Sequence, residues 1–76
     1  MKIEVLGTGC PKCRKMEENA RKAVKELGIK AEVLHVYDAL EIARRGIVST
    51  PALVVDGKVK VAGRVPTVEE IKRLLK

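Results

Sequence analysis

The 76-residue sequence has no Phe, no Trp and a single Tyr. Core volume must therefore come from Val, Ile, Leu, Ala and Met. It has two Cys, too few for a disulfide scaffold, and a reducing cytosol would open a merely structural bridge. No apolar run approaches the roughly 20 residues that cross a bilayer. The first residues, Met1-Lys2-Ile3-Glu4-Val5-Leu6-Gly7, carry one basic side chain and an apolar stretch broken by Glu4, unlike a secretory signal. Repeats and low-complexity tracts are absent. The expectation is a soluble, cytoplasmic, single domain over 1–76 with no membrane association, near the lower size limit for an unaided core.

Charge is plentiful by contrast. Sixteen Lys and Arg against ten Asp and Glu give a formal net charge of +6. Such a balance can signal nucleic-acid binding. However, the aromatic platforms that stack single-stranded bases are missing. The basic residues are also dispersed and interleaved with Glu, so no nucleic-acid partner is expected. Lys12, Arg14 and Lys15 are instead placed to steer acidic partners toward one site.

Residues 2–7 read as a strand ended by Gly7-Thr8-Gly9. Pro11 suits the first position of a helix, which makes Cys10 its N-cap. Cys13, Met16, Ala20, Ala23, Val24 and Leu27 recur at helical spacing, and Gly28 closes the helix. Residues 31–37 read as a second strand. Asp38 and Glu41 form a capping-box pattern for a helix over 39–45, closed by Gly46. A third strand, Ala52-Leu53-Val54-Val55, turns at Asp56-Gly57 into a fourth, Lys58-Val59-Lys60-Val61-Ala62. Asp-Gly favours the turn type in which both central residues take positive φ. Strict alternation in the fourth strand predicts valines on one face and lysines on the other. Thr67 and Glu70 then form a second capping box, opening a helix whose buried stripe is Val68, Ile71, Leu74 and Leu75. The order βαβαββα predicts an α/β fold. A strand–helix–strand crossover makes one parallel pair and the hairpin adds antiparallel strands, giving a four-stranded mixed sheet flanked by three helices.

Cys10 and Cys13, three positions apart across a first helical turn, lie within disulfide reach, with Cα atoms roughly 5–6 Å apart. At a helix start, unsatisfied N–H groups and the dipole favour a thiolate at Cys10. Lys12 and Arg14 add positive charge. Cys13 follows the apolar face of the helix and is expected to be buried. This asymmetry assigns attack to Cys10 and resolution of the mixed disulfide to Cys13. A second reading is a metal-binding or sensing module using the same pair. Two soft thiolates suffice for copper(I), whereas zinc needs further ligands and His35 is distant in sequence. Met16 reads as core packing, and His35 and Tyr37 as strand residues filling space.

The chain resembles a small protein of the thioredoxin/glutaredoxin-like, redox-active disulfide family. Gly7-Thr8-Gly9-Cys10-Pro11-Lys12-Cys13 after the first strand is similar to the family's active-site segment. Thr50-Pro51 is similar to its cis-proline. Val55-Asp56-Gly57-Lys58-Val59, Ala62-Gly63 and the last helix match its C-terminal half in order. The resemblance implies thiol–disulfide exchange with protein substrates, without a bound cofactor, fed by a thioredoxin reductase-type or glutathione-linked electron donor. It further implies that Pro51 is cis, exposing the Thr50 backbone to a substrate strand. Gly63 would leave room beside the disulfide, or serve simply as a strand-end glycine. Glu4, six residues before Cys10, stands where the family carries a buried carboxylate that takes a proton from the resolving cysteine. Burial would raise its pKa. The plainer reading of Glu4 is a strand carboxylate that reaches solvent or pairs with a lysine. Two departures stand out. Gly9 replaces the aromatic residue that usually precedes the first cysteine, which predicts a shallower groove. Ala62-Gly63-Arg64-Val65 replaces the glutathione-binding Gly-Gly and acidic residues, which favours a flavin-dependent reductase as donor.

Overall fold

The computed structural model describes residues 1–9 and 11–75. Its elements are β1 (Lys2–Leu6), α1 (Pro11–Leu27), β2 (Glu32–Val36), α2 (Ala39–Arg44), β3 (Ala52–Val55), β4 (Lys58–Ala62) and α3 (Val68–Leu75). The strands form one sheet in the order β2-β1-β3-β4. β1 runs parallel to β2, with Val5 beside His35, and antiparallel to β3; β3 and β4 are antiparallel. The expected α/β class and mixed four-stranded sheet are therefore found.

Alternation along the strands splits the apolar residues into two layers. Ile3, Val5, Leu53, Val55 and Val61 pack with Met16, Ala20 and Ala23 of α1 and with Ile71 and Leu75 of α3. On the other face, Leu6, Ala52 and Val54 pack with Ile42 of α2 and with Ile47. Met16 is fully buried in the first layer, a packing residue as its helical spacing predicts. Small Ala20 and Ala23 let α1 lie close on the sheet, so aliphatic side chains close the core without an aromatic ring.

Turn chemistry behaves as the residue types require at two places. Asp56 and Gly57 have φ of 49° and 84°, the pair of positive values that the Asp-Gly hairpin needs. The second capping box is fully made: Glu70 N donates to Thr67 Oγ1 at 3.1 Å, and Thr67 N donates to Glu70 Oε1 at 3.4 Å. The first is half made. Asp38 accepts from Leu40 N at 2.9 Å, while Glu41 turns to Arg45.

The even alternation expected of the fourth strand does not occur. Leu53 stands opposite Val61, but Val54 stands opposite Val59, so Lys60 is an extra residue on β4. A bulge of this kind flips every side chain beyond it. Val59 consequently shares the face of Val54 and is 48% exposed, while Val61 is buried on the opposite face.

Candidate active site

Cys10 lies outside the described residues, and with it the N-cap position expected there. The rest of the segment is in place. Pro11 opens α1, where a missing N–H costs nothing. Pro11 and Lys12 are exposed, and Cys13, one turn in, is fully buried. The first turn of α1 carries no carboxylate, so nothing there opposes the helix dipole.

Gly7 is the residue around which the site closes. A methyl group added to it would collide with Cys13 Sγ, would stand 3.1 Å from Cys13 Cβ, and would lie 3.9 Å from Pro51 Cα. The end of β1, the first turn of α1 and the start of β3 therefore meet at a point that has room for a hydrogen and nothing larger. The Thr50–Pro51 peptide bond is cis, as the resemblance implies. Pro51 is fully buried and Thr50 is exposed beside it. Gly63, at φ 81°, donates its N–H to the Pro51 carbonyl at 2.9 Å. A Cβ there would press on Ser49 Cβ at 3.2 Å. Gly63 thus continues the β3–β4 ladder by one backbone bond and ties the end of β4 to the proline segment.

Glu4 is buried, but its surroundings differ from both sequence readings. It points to the α2 face of the sheet, and its Oε2 lies 2.7 Å from an Arg45 guanidinium nitrogen. The Arg45 hydrogen bond holds the Glu4 carboxyl below its ordinary value; burial opposes this, and the Arg45 and Lys2 charges assist it. The expected rise is corrected to a fall, because a cation donates directly to the buried oxygen. The partner is an arginine at the end of α2 rather than a lysine.

The space-filling roles expected for His35 and Tyr37 are also incomplete. His35 has a side chain only 5% exposed. Its Nδ1 lies 2.6 Å from Glu17 Oε1 and its Nε2 lies 3.2 Å from the Gly7 carbonyl oxygen. Tyr37, more than half exposed, stacks on the His35 ring with centroids 3.9 Å apart and planes 13° apart. Its ring edge also stands 3.3 Å from where a Gly9 Cβ would be. Local sequence carried no signal for this: sheet register places it, the parallel pairing of Val5 with His35 bringing that ring toward the end of β1.

For a metal, the described residues offer no gathering of three or more His, Cys, Asp and Glu side chains. Both nitrogens of His35 already meet protein acceptors.

A buried cysteine sulfur at a helix start, a cis-proline on the same side of Gly7 and a mixed sheet of this strand order define a thioredoxin-like redox protein. The chain belongs to the thioredoxin-domain family, whose model matches residues 1–76. A thioredoxin of Methanothermobacter thermautotrophicus is 49% identical to it over 75 residues, covering 99% of this chain and 97% of that protein. A thioredoxin of Methanocaldococcus jannaschii is 50% identical over 74 residues, covering 97% of this chain and 85% of its own length.

Proposed function

We propose that the protein exchanges its Cys10–Cys13 dithiol for disulfides in protein substrates. The Cys10 thiolate attacks one sulfur of the substrate disulfide, forming a mixed disulfide and releasing the first substrate thiolate. Cys13, as thiolate, then attacks Cys10 Sγ. The Cys10–Cys13 disulfide forms, the second substrate thiolate leaves, and two electrons have passed to the substrate. Lys12 and the amino end of α1 favour the Cys10 thiolate, and the exposed Thr50 backbone beside Pro51 receives the substrate strand. A flavin-dependent thioredoxin reductase returns the electrons in the cytoplasm.

The observation that carries this reading is the burial of Cys13 Sγ against Gly7, with cis-Pro51 alongside. A sulfur withdrawn from solvent suits resolution from within rather than attack on a bulky partner. The test is reduction of insulin by wild type, Cys10→Ser and Cys13→Ser, with reductase and nicotinamide supplied. Wild type should turn over, Cys10→Ser should not, and Cys13→Ser should accumulate covalent adducts. No reduction with any donor, together with stoichiometric copper or zinc binding, would overturn it.

A further inference from the structure

The structure assigns His35 a role in the exchange site: we infer that it is a positioning residue that braces the Gly7-Thr8-Gly9 segment ahead of Cys10 by donating from both ring nitrogens. This rests on the exchange reading of the site.

Both ring nitrogens of His35 face acceptors. Glu17 is a carboxylate, and Gly7 offers a carbonyl oxygen; neither can donate. The Nδ1–Glu17 contact at 2.6 Å and the Nε2–Gly7 contact at 3.2 Å are both hydrogen bonds only when the ring carries two N–H groups, which is the imidazolium. A neutral ring has one proton to give. The charged, shorter partner Glu17 would keep it, leaving an Nε2 lone pair facing the Gly7 oxygen. Deprotonation would therefore release the Gly7 end of the brace while the Glu17 end stays made.

Both ends of the segment depend on this ring. At one end is the Gly7 carbonyl, on the glycine that accommodates Cys13 Sγ. At the other, Tyr37 stacks on the imidazole and packs beside Gly9. Thr8, between them, is exposed. Charged groups of both signs stand around the ring. From α1, Glu17 faces the ring directly and itself pairs with Arg21 at 3.1 Å. Arg21 also donates to the Val33 carbonyl at 3.3 Å. Arg14 and Glu18 line the shallow cleft next to Glu17 and Tyr37. Tyr37, just past β2, stacks on the ring, and Gly7, just past β1, turns its carbonyl to it. A brace that needs both ring N–H groups is made by the doubly protonated ring alone, so it makes exchange sensitive to pH.

The chain has one histidine, so its imidazole NMR signals need no assignment by mutation. In wild type near pH 6, both ring nitrogens should be protonated, and the Gly7 carbonyl carbon shift should move as His35 titrates. A ring with unprotonated Nε2 at that pH, or a Gly7 shift blind to the titration, would overturn the inference. The functional arm measures insulin reduction with dithiothreitol between about pH 5 and 8. His35→Phe keeps the stacked ring and removes both donors; His35→Gln keeps a donor toward Gly7. His35→Phe should exchange about tenfold more slowly than wild type at the acid end, the loss expected of one hydrogen bond to a charged group. It should also lose the wild-type fall in rate on deprotonation, and His35→Gln should recover most of the rate. A folded His35→Phe with wild-type rate and pH profile would overturn the role. If His35→Phe fails to fold, the NMR titration and His35→Gln still decide. Wild type inactive toward insulin with every donor would sink the exchange reading instead, while the imidazolium and its bond to Gly7 would stand or fall by NMR.

Discussion

At the scale of single residues, the site is decided by how little room Gly7 has. Its hydrogen faces Cys13 Sγ where a methyl cannot stand. Gly7→Ala must push the sulfur or the strand end aside, an overpacking cost of about 1–3 kcal/mol. Urea unfolding of the reduced protein should show that loss, together with slower release of substrate from the mixed disulfide. Wild-type stability in Gly7→Ala would mean that the sulfur has freedom to move. Arg45 makes a second case. Its guanidinium satisfies a carboxylate sealed behind the sheet. Arg45→Met leaves Glu4 buried and unpaired, so its carboxyl should titrate above its present value. Stability at neutral pH should fall toward the lower end of about 3–5 kcal/mol, since Arg45 itself is partly exposed. Glu4→Gln in the Arg45→Met background should restore part of the loss. Neither contact is written in local sequence: residues 7 and 13 are brought together by a turn, and 4 and 45 by a crossover.

At the scale of elements, the chain was largely readable. Every strand and helix occurs in the expected order, because each carries its own periodicity and its own stop. α3 is the clearest example, with Thr67 and Glu70 each satisfying the other's backbone N–H. Thr67→Ala removes one of these bonds and should lower the thermal stability by about 1 kcal/mol. A conservative Thr67→Ser should be close to neutral. β4 is where local reading failed. Its Val-Lys alternation is perfect in sequence, yet pairing with β3 slips at Lys60. A bulge is a property of two strands, so the pattern of one strand cannot announce it.

At the scale of the whole molecule, charge is organised into pairs that cross between elements. Arg45 joins α2 to β1, Lys72 of α3 meets Glu26 of α1 at 3.1 Å, and His35 joins β2 to Glu17 of α1. Glu4, Glu17 and Glu70 all lie below the ordinary carboxyl value of 4.5, held there first by hydrogen bonds from Arg45, His35 and Arg64 respectively. A carboxyl depressed in the folded state contributes stability that is complete above its unfolded value. That contribution is lost as pH falls through the folded value. The urea midpoint should therefore hold steady down to about pH 5 and decline progressively below it. Arg45→Met should shrink the part of the decline that belongs to Glu4.

What the sequence determined by itself was the element order, the hairpin, the caps, the aliphatic core and the cysteine pair at a helix start. Each depends on neighbours within about a turn or a strand, where residue type dictates geometry. Tertiary structure alone decided that Gly7 is the floor of the Cys13 sulfur, that Gly63 holds the Pro51 carbonyl, and that Glu4 answers to Arg45. It also made His35 a bridge between a helix and the segment before Cys10. These contacts join residues on different elements, and their chemistry follows from how those elements pack and pair, which local residue preferences do not encode.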